Sequence, residues 1–597
     1  MNTKKIERNM RPSKLFFKLW KKLSKRRKLQ TYFALLIMIL SGICELISFA
    51  ALIPFLIIIT NPEKLFENNI FKYISLLFGL NSDIEKLLFT TFLFIFIALF
   101  ASSIKLINIW LNNRIAALIG RDLTVKVLEK LLNRSYADFI KGSTSEIITL
   151  LNSNSNRVTN TVLGILLGIS SCIVLLFIIA PIFIINPSLS ISSVFFFGVI
   201  YLIITKLTTN KLASTSSSID KNLRNEISII YDSIGSIRNL IIERKQDKAV
   251  QSFKSFDEPY RLALANQIFL GSFPRVLLEG IGISFVALIG FLSILQKNNV
   301  ESIIAILGTI GLAAQKLLPA FQQIYRSWSL INSSKADISN ILKILEEPYE
   351  KDKVTKLQKP LKFRKSLRFE NISFSYDKNS SDVLKNISFE IKAGEKIGII
   401  GSSGSGKSTL IDLMMGLLIP SSGKIFIDEN NLHNKNKKDF ILSWHQTISH
   451  VPQNIFLSNS TIYSNITFSE NHKNINLAKL KKASKLSLVE EFINNNPENY
   501  SAKVGERGIK LSGGQRQRIG IARAIYRDKD VLFLDEATSA LDLKTEQKIL
   551  NSLMLDNKNL TIIMISHRIN TLKNCNRILK IENGLLVDQG DPLKFIQ

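Results

Sequence analysis

Apolar residues in this chain are gathered into blocks rather than spread evenly. Runs of roughly 20 mostly apolar residues, the length a helix needs to cross a bilayer, recur near 31–59, 87–111, 162–185, 189–207, 268–295 and 302–326. Each is expected to be a membrane-spanning helix. The stretches 112–161 and 206–261 between them are long, polar and rich in Lys and Arg, whereas the connections 186–188 and 296–301 are very short. Basic residues favour the inner side of a membrane, so both termini and the two long loops are expected to face the cytoplasm. In the outer connection Leu65, Phe66, Ile70, Phe71, Ile74, Leu77 and Phe78 recur at helical spacing, which predicts a short external helix. Beyond about residue 365 the pattern changes to short apolar strands alternating with helical periodicity, as in an α/β domain.

This reading divides the chain into a basic amphipathic segment (1–30), a six-helix transmembrane domain (31–327), a linker (328–365) and a cytoplasmic α/β domain (366–597). The composition fits such segregation. Hydrophobic residues make up 46% of 597 residues and mean hydropathy is +0.17, although 21% of the chain is charged. Lys plus Arg outnumber Asp plus Glu by 77 to 48. Much of that surplus lies in residues 1–30, with twelve basic residues and only Glu7 opposing them. Lys14–Leu23 mixes apolar and basic residues and is expected to lie as a helix on the anionic inner leaflet of the plasma (inner) membrane. Nucleic-acid binding is set aside, since no nucleic-acid fold motif accompanies the charge. Cys44, Cys172 and Cys575 are too scattered for a disulfide framework or a metal site.

The chemistry lies in the second half. After the strand-like Lys396–Ile400 come Gly401, Ser402, Ser403, Gly404, Ser405, Gly406, Lys407, Ser408 and Thr409, then a helical pattern. This is a phosphate-binding loop in its strand–loop–helix setting. Its backbone N–H groups converge on phosphate oxygens, Lys407 reaches the outer phosphates, and Ser408 ligates Mg2+. The apolar strand Val531–Leu534 delivers Asp535 and Glu536 to its end. Asp535 is expected to hold the Mg2+ ion, and Glu536 to act as general base on the attacking water. Ser512, Gly513, Gly514 and Gln515 open a further helix with small residues and free N–H groups.

Together these motifs resemble the ATP-binding cassette (ABC) transporter family, in the exporter plan that fuses six spans to one cassette. The resemblance implies further roles, residue by residue. Tyr376 matches the aromatic that stacks on adenine. Gln453 matches the glutamine that contacts Mg2+ and water, and His567 the switch histidine at the γ-phosphate. Gly505–Gly508 and Ser539–Asp542 match loops that face the membrane domain and the dimer partner. The Ser512–Gln515 helix start of one chain would cap ATP on Lys407 of another, which implies a homodimer. Contacts that couple the two halves are expected near Tyr136–Phe139 and Tyr231–Ile237.

Cargo has to be read from the membrane half. Lys105, Arg275 and Lys316 fall within predicted spans, where charge is expensive and usually functional. One reading has them line a cavity for an anionic headgroup. The other has Arg275 pair with Glu279 one helical turn away, while Lys105 and Lys316 snorkel to the interface. The stretches Glu45–Phe55 and Phe273–Glu279 are similar to bacterial lipid-linked oligosaccharide flippases, which implies export of a lipid-linked saccharide or glycolipid. The alternative is a multidrug, peptide or lipid A-type exporter.

Overall fold

The computed structural model describes residues 12–52, 54–55, 58, 69–80, 82–185, 187–295, 300–347, 359–377, 380–434, 438–468, 475–555 and 559–595, with the backbone alone for parts of 69–75, 181–197, 285–295 and 300–316. The chain forms two compact units. The first comprises residues 1–134 and 141–349, the second 135–140 and 350–597. The division at Tyr349 falls inside the stretch read as a linker, whose first half is helical.

Among the described residues the first unit is all helix: α1 (Pro12–Lys22), α2 (Lys25–Ala50), α3 (Asn69–Phe78), α4 (Asp83–Leu132), α5 (Tyr136–Lys141, most of which belongs to the second unit), α6 (Thr144–Thr149), α7 (Ser155–Ile185), α8 (Pro187–Gly235), α9 (Ile237–Ile242), α10 (Gln246–Leu295), α11 (Val300–Ser333) and α12 (Lys335–Glu346). Each predicted span falls mainly within α2, α4, α7, α8, α10 or α11. Among the described residues, Lys25–Ala50, Asp83–Leu132 and Thr144–Ala180 are long and apolar enough to cross a membrane. On α4, Phe92, Phe96, Leu99 and Leu106 leave an apolar face bare, as lipid contact requires.

The stretches expected as long loops are mostly helix. The continuation of α4 buries Ile115, Ile119, Leu123, Val127 and Leu131, an apolar residue every fourth position, so one face has a core to join. Its partners are Val158, Val162 and Leu166 of α7 and Ile338, Ile341 and Leu345 of α12. The same cluster takes up Leu15 and Leu19 of α1, and Lys18 meets Glu346 at 3.1 Å. The amphipathic segment expected on the lipid surface thus spends its leucine stripe on protein; Phe17 remains exposed.

Small residues set the approach of α7 to α11. A Cβ on Gly168 would come within 2.7 Å of the Ser327 hydroxyl, which itself donates to the Gly164 carbonyl at 2.6 Å. Some buried polar groups are paired across helices. Arg27 donates twice to Asp122, at 2.8 and 3.2 Å, and this holds the Asp122 carboxyl below its ordinary range. Asn108 donates to Ser170 at 2.8 Å.

The second unit contains two sheets. The smaller is antiparallel, in the order β2 (Leu384–Lys392), β1 (Ser366–Phe374), β4 (Ser422–Ile427), β5 (Asn430–Asn431). The larger runs β10 (Leu585–Gly590), β9 (Arg577–Glu582), β3 (Lys396–Ile400), β8 (Thr561–Ile565), β7 (Val531–Asp535), β6 (Ile448–Val451). From β9 to β6 its strands are parallel. Central strands covered on both faces read as unbroken apolar runs, and every residue of β8 is buried. Phe369 stacks on Phe389, and fully buried Trp444 donates its indole N–H to the Met414 carbonyl at 3.0 Å. Ala137, from 135–140, packs against this same core.

Candidate functional site

The parallel strands bring four separate loops to one edge. The register pairs Asp535 with Ile565 and Leu534 with Val451. Two residues past β6 and β8 stand Gln453 and His567, and immediately past β7 stands Glu536. The phosphate loop leaves β3 at the same carboxyl edge, the usual ligand side of an open parallel sheet.

In that loop Gly404 and Gly406 adopt φ of +78° and +101°, values a side chain would oppose. The loop then opens α13 (Lys407–Met414). Lys407 is largely buried, and its ammonium donates to the carbonyls of Gly401 and Ser402 at 2.9 and 2.7 Å. It makes no ion pair among the described residues, and desolvation lowers its pKa. Asp535 and Glu536 oppose that shift. The Ser405 hydroxyl is buried without a hydrogen-bond partner. A desolvated ammonium held only by carbonyls, above a loop with an orphaned hydroxyl, fits an incoming phosphate group.

Ser408 hydrogen-bonds Asp535, whose carboxyl is pushed up by burial first and by neighbouring Glu536 second. A divalent cation would relieve both, and the hydroxyl and carboxylate are oxygen ligands suited to Mg2+. Glu536 sits at φ +49°, unusual for a side-chain-bearing residue, with its N–H donating to the Ile565 carbonyl at 3.1 Å. Both of its oxygens are engaged: Gln453 Nε2 donates at 2.7 Å to one, and His567 Nε2 lies 2.7 Å from the other. Sequence reasoning named these three residues separately; the fold joins them through one carboxylate.

Tyr376 packs edge-on against Phe374 at 5.0 Å, and its hydroxyl lies 3.0 Å from Thr409 Oγ1. Its ring is therefore beside the phosphate loop and partly exposed. Ser512 caps α14 (Gly513–Tyr526): its hydroxyl accepts from the Gln515 N–H at 3.2 Å, and the Gln515 side chain accepts from the Ser512 N–H at 2.9 Å. This helix start does not touch Lys407 in the contacts described.

Several supporting residues escaped the sequence reading. Gln517 donates to the Ser539 hydroxyl at 3.0 Å and accepts from the Ala540 N–H at 2.8 Å, tying α14 to the 539–542 loop. Arg568, next to His567, binds the Leu541 carbonyl and buried Glu546. Glu546 in turn accepts from Thr538 and Thr571. Asp412 on α13 is half-buried, and desolvation, reinforced by Asp535, raises its pKa to about 6. Only the adjacency of Gln517 and Arg568 to quoted motifs could have drawn attention to them.

Of the tentative cargo residues, Lys105 and Arg275 each meet a carboxylate of the chain. Lys105 lies 2.6 Å from Glu45, whose side chain is 6% exposed, and Arg275 lies 3.0 Å from Glu279 one turn away. The ion-pair reading therefore describes Arg275, and Lys105 too is matched by a carboxylate. The side chain of Lys316, on α11, lies outside the described residues.

Residues 30–312 match the model of the ABC transporter transmembrane region, and residues 384–539 match that of the ABC transporter. The chain is 33% identical over 353 residues to an ATP-dependent lipid A-core flippase of Chromohalobacter salexigens, covering 58% of this chain and 56% of that protein. It thus spans little more than half the length of that relative. It is 28% identical over 512 residues to a beta-(1-->2)glucan export ATP-binding/permease protein of Bartonella bacilliformis, covering 82% and 84% of the two chains. The solved structure of a bacterial Atm1-family ABC exporter with ATP bound superposes with a TM-score of 0.78 at 22% identity, over 95% of this chain and 96% of that one, a likeness of fold. With both regions matched in chain order, this chain belongs to the ABC transporter family, its transmembrane domain fused to an ABC ATPase domain.

Proposed function

We propose that the chain is an ATP-driven exporter or flippase that moves an amphiphile, a lipid-linked saccharide or glycolipid, outward from the cytoplasmic leaflet of the inner membrane. One observation carries this reading: membrane-length helices share a polypeptide with a sheet edge that gathers Lys407, Asp535, Glu536, Gln453 and His567. The lipid A-core flippase and glucan exporter among its relatives support cargo with a saccharide part, and the first keeps a lipid A-type substrate as the second reading.

In this mechanism Lys407 and the loop N–H groups hold the nucleotide phosphates, and Tyr376 offers its ring to the base. Ser408 and Asp535, with Gln453, would hold Mg2+, which supplies positive charge against the phosphates. Glu536 takes the proton of the attacking water, its carboxylate oriented by Gln453 and His567. The Ser512–Gln515 helix start covers the nucleotide of a second copy, so two chains form two sites. Tyr231, Ile234, Ile237, Ile241 and Ile242 leave an exposed apolar tip at the turn from α8 to α9, which supports docking on the partner as the coupling contact. Both termini and the ATPase domain lie in the cytoplasm.

The test is a proteoliposome transport assay comparing a lipid-linked saccharide with an amphiphilic drug. ATP-dependent movement of the saccharide lipid is expected; movement of the drug alone would overturn the cargo reading.

A further inference from the structure

The first unit has an open cavity of about 540 Å3 with polar and apolar walls, within the ~300–1,000 Å3 range typical of ligand sites. Its walls come from α7, α8, α10, α11 and the turn ahead of α7. The lining contains two arginines, Arg157 and Arg326, and no Asp or Glu; the remaining polar groups are largely amides and hydroxyls such as Gln267, Asn156 and Ser329. Arg157, Gln267 and Arg326 each stand at the polar end of a predicted span (162–185, 268–295 and 302–326).

Arg157 is built in from behind. Its Nε is 3.3 Å from Asp337, which is completely buried, and Nη2 donates to Gln267 at 3.2 Å. Gln267 in turn donates to the Ser333 hydroxyl at 2.7 Å. The remaining nitrogen, Nη1, is buried without a hydrogen-bond partner. Burial pushes Asp337 up to about 7 despite the opposing pull of Arg157. Arg326 is exposed and makes no ion pair among the described residues. The helix ahead of Arg157 also carries a π-helical turn, Leu150–Asn154, which puts Asn152 and Ser153 on the cavity wall. Such turns cost regular hydrogen bonding and often mark functional sites.

From this cavity we infer that Arg157, Arg326 and Gln267 form a binding site for a phosphate-class oxyanion, and that it, rather than Lys105 or Arg275, receives the head of the cargo. The inference rests on the export reading for the word cargo; the site itself does not. A guanidinium with a spare N–H and a second unpaired arginine is suited to phosphate oxygens, and the flanking amides and hydroxyls suit attached polar groups.

The test is nucleotide-free titration of the full chain in nanodiscs with dodecyl phosphate, dodecyl maltoside and inorganic phosphate. Arg326→Gln alters an exposed side chain. A second variant, Arg157→Gln with Asp337→Asn, removes both buried charges together, so that no unpaired charge is left to unfold the protein. Dodecyl phosphate affinity is expected to fall roughly tenfold or more in each, while dodecyl maltoside binding stays unchanged. Unchanged dodecyl phosphate affinity in both variants overturns the site. Competition by inorganic phosphate in the unaltered chain assigns it to a free anion, and lack of competition to a membrane-borne one. Arginine-dependent binding without any ATP-driven transport would sink the export reading and leave the site standing.

Discussion

Lys407 in the cassette and Lys105 in the helical unit are both lysines in costly surroundings, yet they are treated differently. Lys407 is desolvated and held by two carbonyls, with no carboxylate at ion-pair distance among the described residues. Lys105 meets Glu45 at 2.6 Å, as Arg27 meets Asp122 and Arg275 meets Glu279 elsewhere in the helices. A cation already matched by its own chain has little to gain from a ligand, whereas an unmatched desolvated one gains the full electrostatic benefit. Arg326 meets the first part of that criterion, since it makes no ion pair among the described residues, and beside it Arg157, though paired with Asp337, keeps one buried N–H without a partner.

The comparison can be broken most sharply at the nucleotide edge. Glu536→Gln should retain ATP binding and lower phosphate release by roughly 100-fold or more, the scale of general-base catalysis. Wild-type turnover in this variant would remove Glu536 from that role. Lys407→Ala should weaken ATP binding by at least about tenfold, read by titration with a fluorescent nucleotide, because no other cation in the loop replaces it. An unaltered affinity would mean that an unmatched cation does not mark a ligand site here.

Matched charges should behave in the opposite way. Glu45→Gln leaves Lys105 without its carboxylate and should lower stability in detergent by roughly 1–3 kcal/mol, less than the ~3–5 kcal/mol of a fully buried pair, because Lys105 is half exposed. Adding Lys105→Gln should restore most of the loss, and ATP turnover should follow stability alone. Failure of the double variant to recover would mean that the pair does more than neutralise itself.

The smallest effect concerns Asp412. Its carboxyl titrates near 6 in the folded chain against an ordinary 3.8, so the folded state binds the extra proton. Stability associated with that proton is present at low pH and is lost as pH rises through about 6. Asp412→Asn should therefore raise the cassette's melting temperature by about 2–4 °C at pH 7.5 and leave it nearly unchanged at pH 4. Equal shifts at both pH values would assign the effect to packing.

The sequence by itself determined the phosphate loop and the places of the long apolar helices. The phosphate loop is a contiguous run whose glycines, lysine and following helix act locally, and the apolar runs are long enough to mark where long helices form. The helical continuation of α4 was also legible, since Ile115, Ile119, Leu123, Val127 and Leu131 keep a four-residue period; a high density of charge hid it behind the appearance of a loop. Only the tertiary structure decided which groups meet. Gln453, Glu536 and His567 are far apart in the chain and converge because parallel strands in register end at one edge. The partners of Leu15, Lys105 and Arg157 lie on other helices, with no periodicity linking them. Local hydrogen bonding and hydrophobic period are encoded over a few residues, whereas the pairing of charges depends on which helices pack together, a property of the whole unit.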